Sequence, residues 1–272
     1  MQIPLWTNKK ILEGGEPFFL EGKKAPTPKG FGGPKKIGIL LIHGWSSTPQ
    51  ELRNTATYLN SLGYPVYAPL LRGHGTEARD LIGLKWEDWL EDTYSAYDWF
   101  LKHVDEIVVG GMSTGSLLAL NLSLERKVKG LIAMGTPVFV KLRWKILLRV
   151  VAWIFRDRKL FKKIYRKDDW EVAKKKIHYF EFPPRSMWEV FRSISATRKI
   201  IPEITEPILV MQSGSDKIIL PKSAEYVYAN VASKTKRLVF FADSYHVFTV
   251  DKEAAKAHKI MGDFINKIAR FS

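Results

Sequence analysis

Ile107-Val108-Val109-Gly110-Gly111-Met112-Ser113-Thr114-Gly115-Ser116-Leu117-Leu118-Ala119-Leu120 decides the fold. An apolar, β-branched run reads as a buried strand, and the run after Ser113 reads as a helix, so the serine sits on an abrupt strand-to-helix turn. Gly111 and Gly115, two residues before and two after the serine, are the positions where a Cβ would keep strand and helix apart. The serine hydroxyl then stands above the edge of a sheet. The five letters G-x-S-x-G alone are only moderately specific, and the neighbouring sequence has to carry the rest.

Working outward, strand and helix patterns alternate. Ile37 to Ile42 is a continuous apolar run ending at His43-Gly44-Trp45, and Thr48-Pro49-Gln50-Glu51 has the form of a capping box opening a helix to about Ser61. Val66-Tyr67-Ala68 follows as a strand, Trp86 to His103 as an amphipathic helix, and Val128 to Met134 as a strand closed by Gly135-Thr136-Pro137. After about Val138 the alternation stops. A basic, aromatic-rich, helix-prone segment runs to about Ile201; strands then resume at Pro207 to Met211 and Arg237 to Phe241, and Lys252 to Ile268 closes the chain as a helix. Alternation interrupted once and late predicts an α/β fold with a mostly parallel central sheet, a core of residues 1–137 and 202–272, and a helical cap inserted at 138–201. Glu16 to Leu20 is a candidate antiparallel edge strand.

Composition narrows the function classes. The 272 residues suffice for one large α/β core, and 46% hydrophobic content suits a globular chain. With no cysteine, disulfides, thiolate metal sites and a cysteine nucleophile are excluded. No apolar run is long enough to span a bilayer and the first residues do not read as an export signal, so a cytoplasmic location is expected. The net charge of +15 is concentrated: Lys141 to Lys167 holds eleven Lys or Arg against one acid, Asp157, or +10 in 27 residues. No helix-turn-helix, zinc finger or aromatic RNA-binding signature accompanies that charge, so nucleic acid is not the expected partner.

A serine hydroxyl needs a histidine to take its proton and a carboxylate to orient that histidine. Asp216 lies directly after the Ile208 to Met211 run, and His246 directly after Leu238 to Phe241. Ser113, Asp216, His246 is the chain order in which this architecture places nucleophile, acid and base. Asp243 and Asp105 are the competing acids, but neither follows the strand that should carry the acid. Among the other histidines, His103 and His258 fall in helices and read as solvated surface groups, His178 falls in the cap, and His43 and His74 read as braces of glycine-rich loops. Two backbone N–H donors are needed for the oxyanion, and Thr114, at the start of the helix, and Trp45, after His43-Gly44, are best placed.

These residues carry a resemblance. The chain resembles the α/β-hydrolases of the carboxylesterase and monoacylglycerol lipase group, above all small thermophilic bacterial carboxylesterases. It does so through Leu41-Ile42-His43-Gly44-Trp45, Pro49-Gln50-Glu51-Leu52-Arg53, Gly63 to Pro69, Arg72-Gly73-His74-Gly75-Thr76, the serine turn, and Tyr245-His246-Val247-Phe248-Thr249-Val250-Asp251. The resemblance implies Ser113 as nucleophile, Asp216 and His246 as its relay, Trp45 and Thr114 as oxyanion donors, and no metal or cofactor. Thr114 and Ser116 depart from the usual leucine and glycine, and Tyr245 from a glycine.

A serine ester hydrolase acting on uncharged acyl esters, including monoacylglycerols, is therefore the expected function. A serine aminopeptidase would want an acidic anchor for the substrate amine, and the cap has few acids. A catalytically silent membrane scaffold would not need all three of Ser113, Asp216 and His246. In the cap, Lys141, Lys145, Arg149 and Arg156 fall on one helical stripe beside an apolar remainder. That pattern suits peripheral contact with an anionic membrane, and equally a lid with a solvated basic face.

Overall fold

The computed structural model describes residues 3–22, 36–140, 159–163, 170–171, 173–174, 176–216 and 218–270. The basic stripe at Lys141, Lys145, Arg149 and Arg156 lies outside the described residues.

Seven strands form one sheet: β1 (Phe18–Leu20), β2 (Ile37–Ile42), β3 (Val66–Ala68), β4 (Glu106–Met112), β5 (Gly130–Met134), β8 (Ile208–Ser213) and β9 (Lys236–Phe241), with β6 (Phe161–Lys162) and β7 (Glu181–Phe182) pairing separately as a small antiparallel ribbon. The spatial order is β1-β3-β2-β4-β5-β8-β9, and every pairing is parallel except β1 with β3, where Phe18 faces Ala68. The expected edge strand is thus present and antiparallel.

Both faces of the sheet are covered at its central strands β2, β4, β5 and β8, which is why these read as mostly apolar runs, whereas the edge strand β9 opens with Lys236 and Arg237 and is half-exposed. Side-chain alternation sorts them. Leu40, Ile42, Val109 and Leu131 pack in one cluster with α2 (Trp86–Leu101), α3 (Thr114–Glu125) and α4 (Pro184–Ile200). Ile39, Leu41, Val108 and Ile132 pack in the other with α1 (Arg53–Ser61) and α6 (Ala254–Ala269), and α5 (Lys222–Asn230) joins the first layer through Ala224 and Val227. The segment expected as cap therefore holds two kinds of structure. The β6–β7 ribbon lies beside the loop after β2, whereas α4 is a layer helix whose Thr197 hydroxyl receives the Asn121 side-chain amide of α3 at 2.7 Å.

Two local expectations are corrected. The chain enters α1 through a 3₁₀ turn, Pro49–Leu52, and Thr48 makes no side-chain cap. Its hydroxyl donates instead to the Ile177 carbonyl at 2.9 Å, and the Glu51 carboxylate turns away from Thr48 to the loop before it. His258, expected on the surface, is buried in α6 against Tyr58 with Nε2 3.2 Å from the Thr249 carbonyl.

Candidate active site

The carboxyl ends of the parallel strands β2, β4, β5, β8 and β9 lie along one edge of the sheet, and the strand order reverses at β2, with β3 on one side of it and β4, which follows β3 in the chain, on the other. Such a reversal opens a crevice above the strand ends.

Ser113 sits there at φ 54° and ψ −118°, one of two non-glycine residues with positive φ among those described. A conformation of this kind costs about 1–3 kcal/mol. Burial offsets it: all six β4 residues from Ile107 to Met112 are buried, four of them large apolar side chains that contribute about 1.5–3 kcal/mol each. Hydrogen bonds fix the turn. Ser113 N–H donates to the Met134 carbonyl at 2.8 Å, and the Ser113 carbonyl accepts from Ser116 N–H at 2.9 Å and the Ser116 hydroxyl at 2.6 Å. The flanking glycines are required by space, since a Cβ on Gly111 would stand 2.1 Å from the Gly115 carbonyl oxygen and one on Gly115 would stand 2.2 Å from that of Ile42.

Asp216 and His246 meet from the loops after β8 and β9, with Oδ2 to Nδ1 at 2.6 Å. The same Oδ2 accepts from the Gln212 amide at 2.9 Å, and Oδ1 accepts from Ile218 N–H at 2.8 Å and Ile219 N–H at 2.9 Å. Burial alone would raise the Asp216 pKa. The His246 ring, by charge and by hydrogen bond, and the Ile219 and Ile218 N–H groups outweigh that and hold it below the usual carboxylate value. An ionised Asp216 makes Nδ1 the protonated nitrogen and leaves the Nε2 lone pair for the crevice. The His246 loop is itself tied down, by Tyr245 N–H to the Asp251 carboxylate at 2.7 Å and by Asp243 N–H to Glu253 at 2.9 Å.

The competing acids stand elsewhere. Asp105 accepts Lys36 N–H at the amino end of β4, and Asp243 is exposed. The His246 ring approaches the serine turn through Gly135, where an added Cβ would lie 3.3 Å from His246 Cε1 and 3.2 Å from Met112 Cε. No hydrogen bond joins Ser113 Oγ to His246 among the described residues; such bonds are often open before substrate binds.

The loop after β2 abuts the serine: a Cβ on Gly44 would lie 3.4 Å from Ser113 Cβ. His43, buried and with its pKa lowered by that burial, has Nδ1 2.9 Å from the Gly44 carbonyl and accepts Leu71 N–H at Nε2, 3.1 Å. His74 packs on His43 and has Nδ1 3.0 Å from the Arg72 carbonyl. Both histidines brace loops. Among the described residues, neither Trp45 N–H nor Thr114 N–H is taken by another protein acceptor, and Thr114 N–H stands at the positive end of α3.

Two residues whose roles the sequence reading missed hold this assembly. Gln212 steadies Asp216. Glu51 accepts Gly44 N–H at 2.6 Å and the Ser47 hydroxyl at 2.7 Å, with Lys176 Nζ at 3.5 Å. Burial favours protonating Glu51, but Lys176 and those hydrogen bonds keep its pKa low, so the carboxylate anchors the loop as an anion. Gln212, as the polar end of an apolar strand four residues before Asp216, carried a usable signal. No group of three or more potential metal ligands is assembled among the described residues. A cavity of about 420 Å³ lies elsewhere, between the amino-terminal segment and α2, lined by Trp6, Tyr67, Arg72 and Asp92.

Residues 33–253 match the protein family described as serine aminopeptidase, S33. The chain is 28% identical over 249 residues to a carboxylesterase of Bacillus subtilis (strain 168), covering 90% of this chain and 99% of that one. It is 27% identical over 244 residues to a thermostable monoacylglycerol lipase of Bacillus sp. (strain H-257), covering 89% and 90%. Among solved structures, one reported with the metagenome-derived lipolytic enzymes LipS and LipT superposes with a TM-score of 0.81 at 24% identity, over 95% of this chain and 100% of that one. With the match spanning most of its length and the strand-end geometry above, the chain belongs to the serine aminopeptidase S33 family, among the α/β-hydrolases of the carboxylesterase and monoacylglycerol lipase group.

Proposed function

We propose that this enzyme hydrolyses uncharged carboxylic acyl esters, monoacylglycerols among them, through an acyl-enzyme on Ser113. The observation that carries the reading is the Asp216–His246 pair, 2.6 Å apart, on loops above a serine held at φ 54°. His246 Nε2 takes the Ser113 proton as Oγ attacks the ester carbonyl. Asp216 stabilises the imidazolium, and the negative oxygen turns to the N–H groups of Trp45 and Thr114. Collapse expels the alcohol, which leaves with the proton from His246, and water repeats the sequence to free the acid. An ester is favoured over a peptide with a free amino end because the two buried carboxylates described at this end of the sheet, Glu51 and Asp216, are both occupied.

The test is labelling with a fluorophosphonate, with hydrolysis of p-nitrophenyl esters from acetate to palmitate beside mono-, di- and triacylglycerols. Wild type should label at Ser113, and Ser113→Ala should lose labelling and about 10³-fold or more of the turnover. Unchanged turnover in the alanine variant would sink the assignment.

A second feature supports action at lipid surfaces. Trp170 and Phe180 pack ring to ring at 5.5 Å on the inserted segment and are 43% and 44% exposed, beside the sequence run with eleven cations. Exposed aromatics with Lys and Arg form the usual pair of contacts to an anionic bilayer surface. Among the described residues no helix is long and apolar enough to cross a membrane.

A further inference from the structure

Ser46 is the second non-glycine residue with positive φ, at 60°, and it follows Trp45. Its partners come from the inserted segment, far away in sequence. The Ser46 hydroxyl accepts a hydrogen bond from Lys163 Nζ, and the Ser46 carbonyl accepts Tyr179 N–H at 2.8 Å. Lys163 is delivered by the β6–β7 ribbon, where its own N–H donates to the Phe180 carbonyl at 2.8 Å. Its ammonium also stands 5.3 Å from the centroid of the Trp45 ring, and that ring packs edge-on against Phe182 of the same ribbon at 5.2 Å.

Lys163 has no carboxylate partner among the described residues. The groups facing it are Lys176 and His178 from the inserted segment, Glu51 from the 3₁₀ turn, and His74 from the loop after β3. Glu51 is already committed to Gly44, Ser47 and Lys176. A half-buried cation without a counterion is costly, and a residue needed only for packing would be apolar.

We propose that Lys163 is a positioning residue that ties the inserted segment to the oxyanion loop, holding Ser46 in its left-handed conformation and thereby the preceding Trp45 N–H in place for the reaction. The proposal rests on the serine-hydrolase reading. It gives the inserted segment a direct part in the chemistry: where the ribbon seats, the donor loop is complete, and where it lifts, Ser46 loses both of its fixed partners.

The tie is sensitive to pH. Burial first, and then repulsion from Lys176, pull the Lys163 pKa down to about 7 against the opposing pull of Glu51. As pH rises through that value the ammonium becomes an amine, the bond to Ser46 loses its charge assistance, and the attraction to the Trp45 ring is lost.

The experiment measures kcat and KM for a short soluble ester from about pH 5.5 to pH 9 in wild type, Lys163→Met and Lys163→Arg, with fluorophosphonate labelling of each. Loss of a whole oxyanion donor costs ~10²–10³-fold, so a displaced one in Lys163→Met should lower kcat about tenfold near pH 6 with KM within about twofold. Wild type should lose rate on the alkaline side, and Lys163→Arg, whose guanidinium stays charged, should rescue kcat and lack that loss. A methionine variant with wild-type kcat and pH profile overturns the proposal. So does an arginine variant whose alkaline limb matches that of wild type, which decides the matter even where the methionine variant folds poorly. If wild type fails to label at Ser113, the serine-hydrolase reading fails and the role of Lys163 with it; labelled wild type with indifferent Lys163 variants overturns the tie alone.

Discussion

Asp216 illustrates how a single residue is tuned by what surrounds it. Four hydrogen bonds, from His246, Gln212, Ile218 and Ile219, use both carboxylate oxygens, so the group stays ionised despite burial. Replacing Asp216 by Asn would keep the Oδ1 contacts to Ile218 and Ile219 if the amide oxygen took that side. The amide NH₂ would then face His246 Nδ1 and force the other tautomer, with the proton on Nε2, where it cannot accept from Ser113. Asp216→Asn should therefore fold and bind substrate with KM little changed while kcat falls about 10³–10⁴-fold, as loss of the orienting acid does in related triads. Steady-state rates on p-nitrophenyl butyrate together with a melting curve check this. A folded variant within threefold of wild type would show that another acid orients His246.

At the scale of elements, β2 and β4 were legible because strands buried on both faces leave no polar alternation, and the candidates Ser113, Asp216 and His246 could be read because each lies at or shortly after the carboxyl end of an apolar run, buried in β4 and β8 and half-exposed in the edge strand β9. The Thr48 capping box was not, because its letters describe a local bond that a tertiary one displaced: Glu51 binds Gly44 N–H and Lys176 rather than the backbone of Thr48. Nor was the role of Lys163, whose contact with Ser46 spans 117 residues. The helix-prone character of residues 138–201 marked neither the bounds of α4 nor its neighbours; it packs on α2 and α3 within the layer. The basic run has the opposite character, since its charge is plain in sequence while the membrane role proposed for it would be collective. Each Lys or Arg near an anionic bilayer adds about 1 kcal/mol, so on the proposed reading the eleven such groups between Lys141 and Lys167 would act together on a surface with many anions. The protein should co-sediment with vesicles containing anionic lipid more than with neutral ones, and added salt should weaken the attachment. Lys145→Gln, Arg149→Gln and Arg156→Gln together should reduce that binding and leave hydrolysis of a short soluble ester nearly intact. Equal binding to both vesicle types, or to neither, would reduce the stripe to a solvated face.

For the molecule as a whole, several groups push the pH dependence of stability in one direction. Burial lowers the pKa of His43, His74, His178 and His258, His178 to about 4 with repulsion from Lys176 and Lys163 adding to burial. In the unfolded chain each histidine takes a proton near its ordinary value of about 6.5. Between that value and the lower folded one the unfolded state binds more protons, so stability falls as pH falls through this window. Lys163 acts in the same sense higher up: with a folded pKa of about 7 and an unfolded one near 10.4, it makes stability climb as pH rises between them. Self-repulsion agrees, because a chain already at +15 gains positive charge on acidification. The melting temperature should therefore be lower at about pH 5 than at about pH 7.5, with His178→Phe narrowing the gap. Phenylalanine keeps a ring against Phe180, whose centroid is 4.5 Å from that of His178, but removes one group that the unfolded chain protonates. Scanning calorimetry of both proteins at the two pH values decides it. A melting temperature equal or higher at pH 5 would mean that the buried histidines do not govern acid stability, and an undiminished gap in His178→Phe would remove His178 from their number.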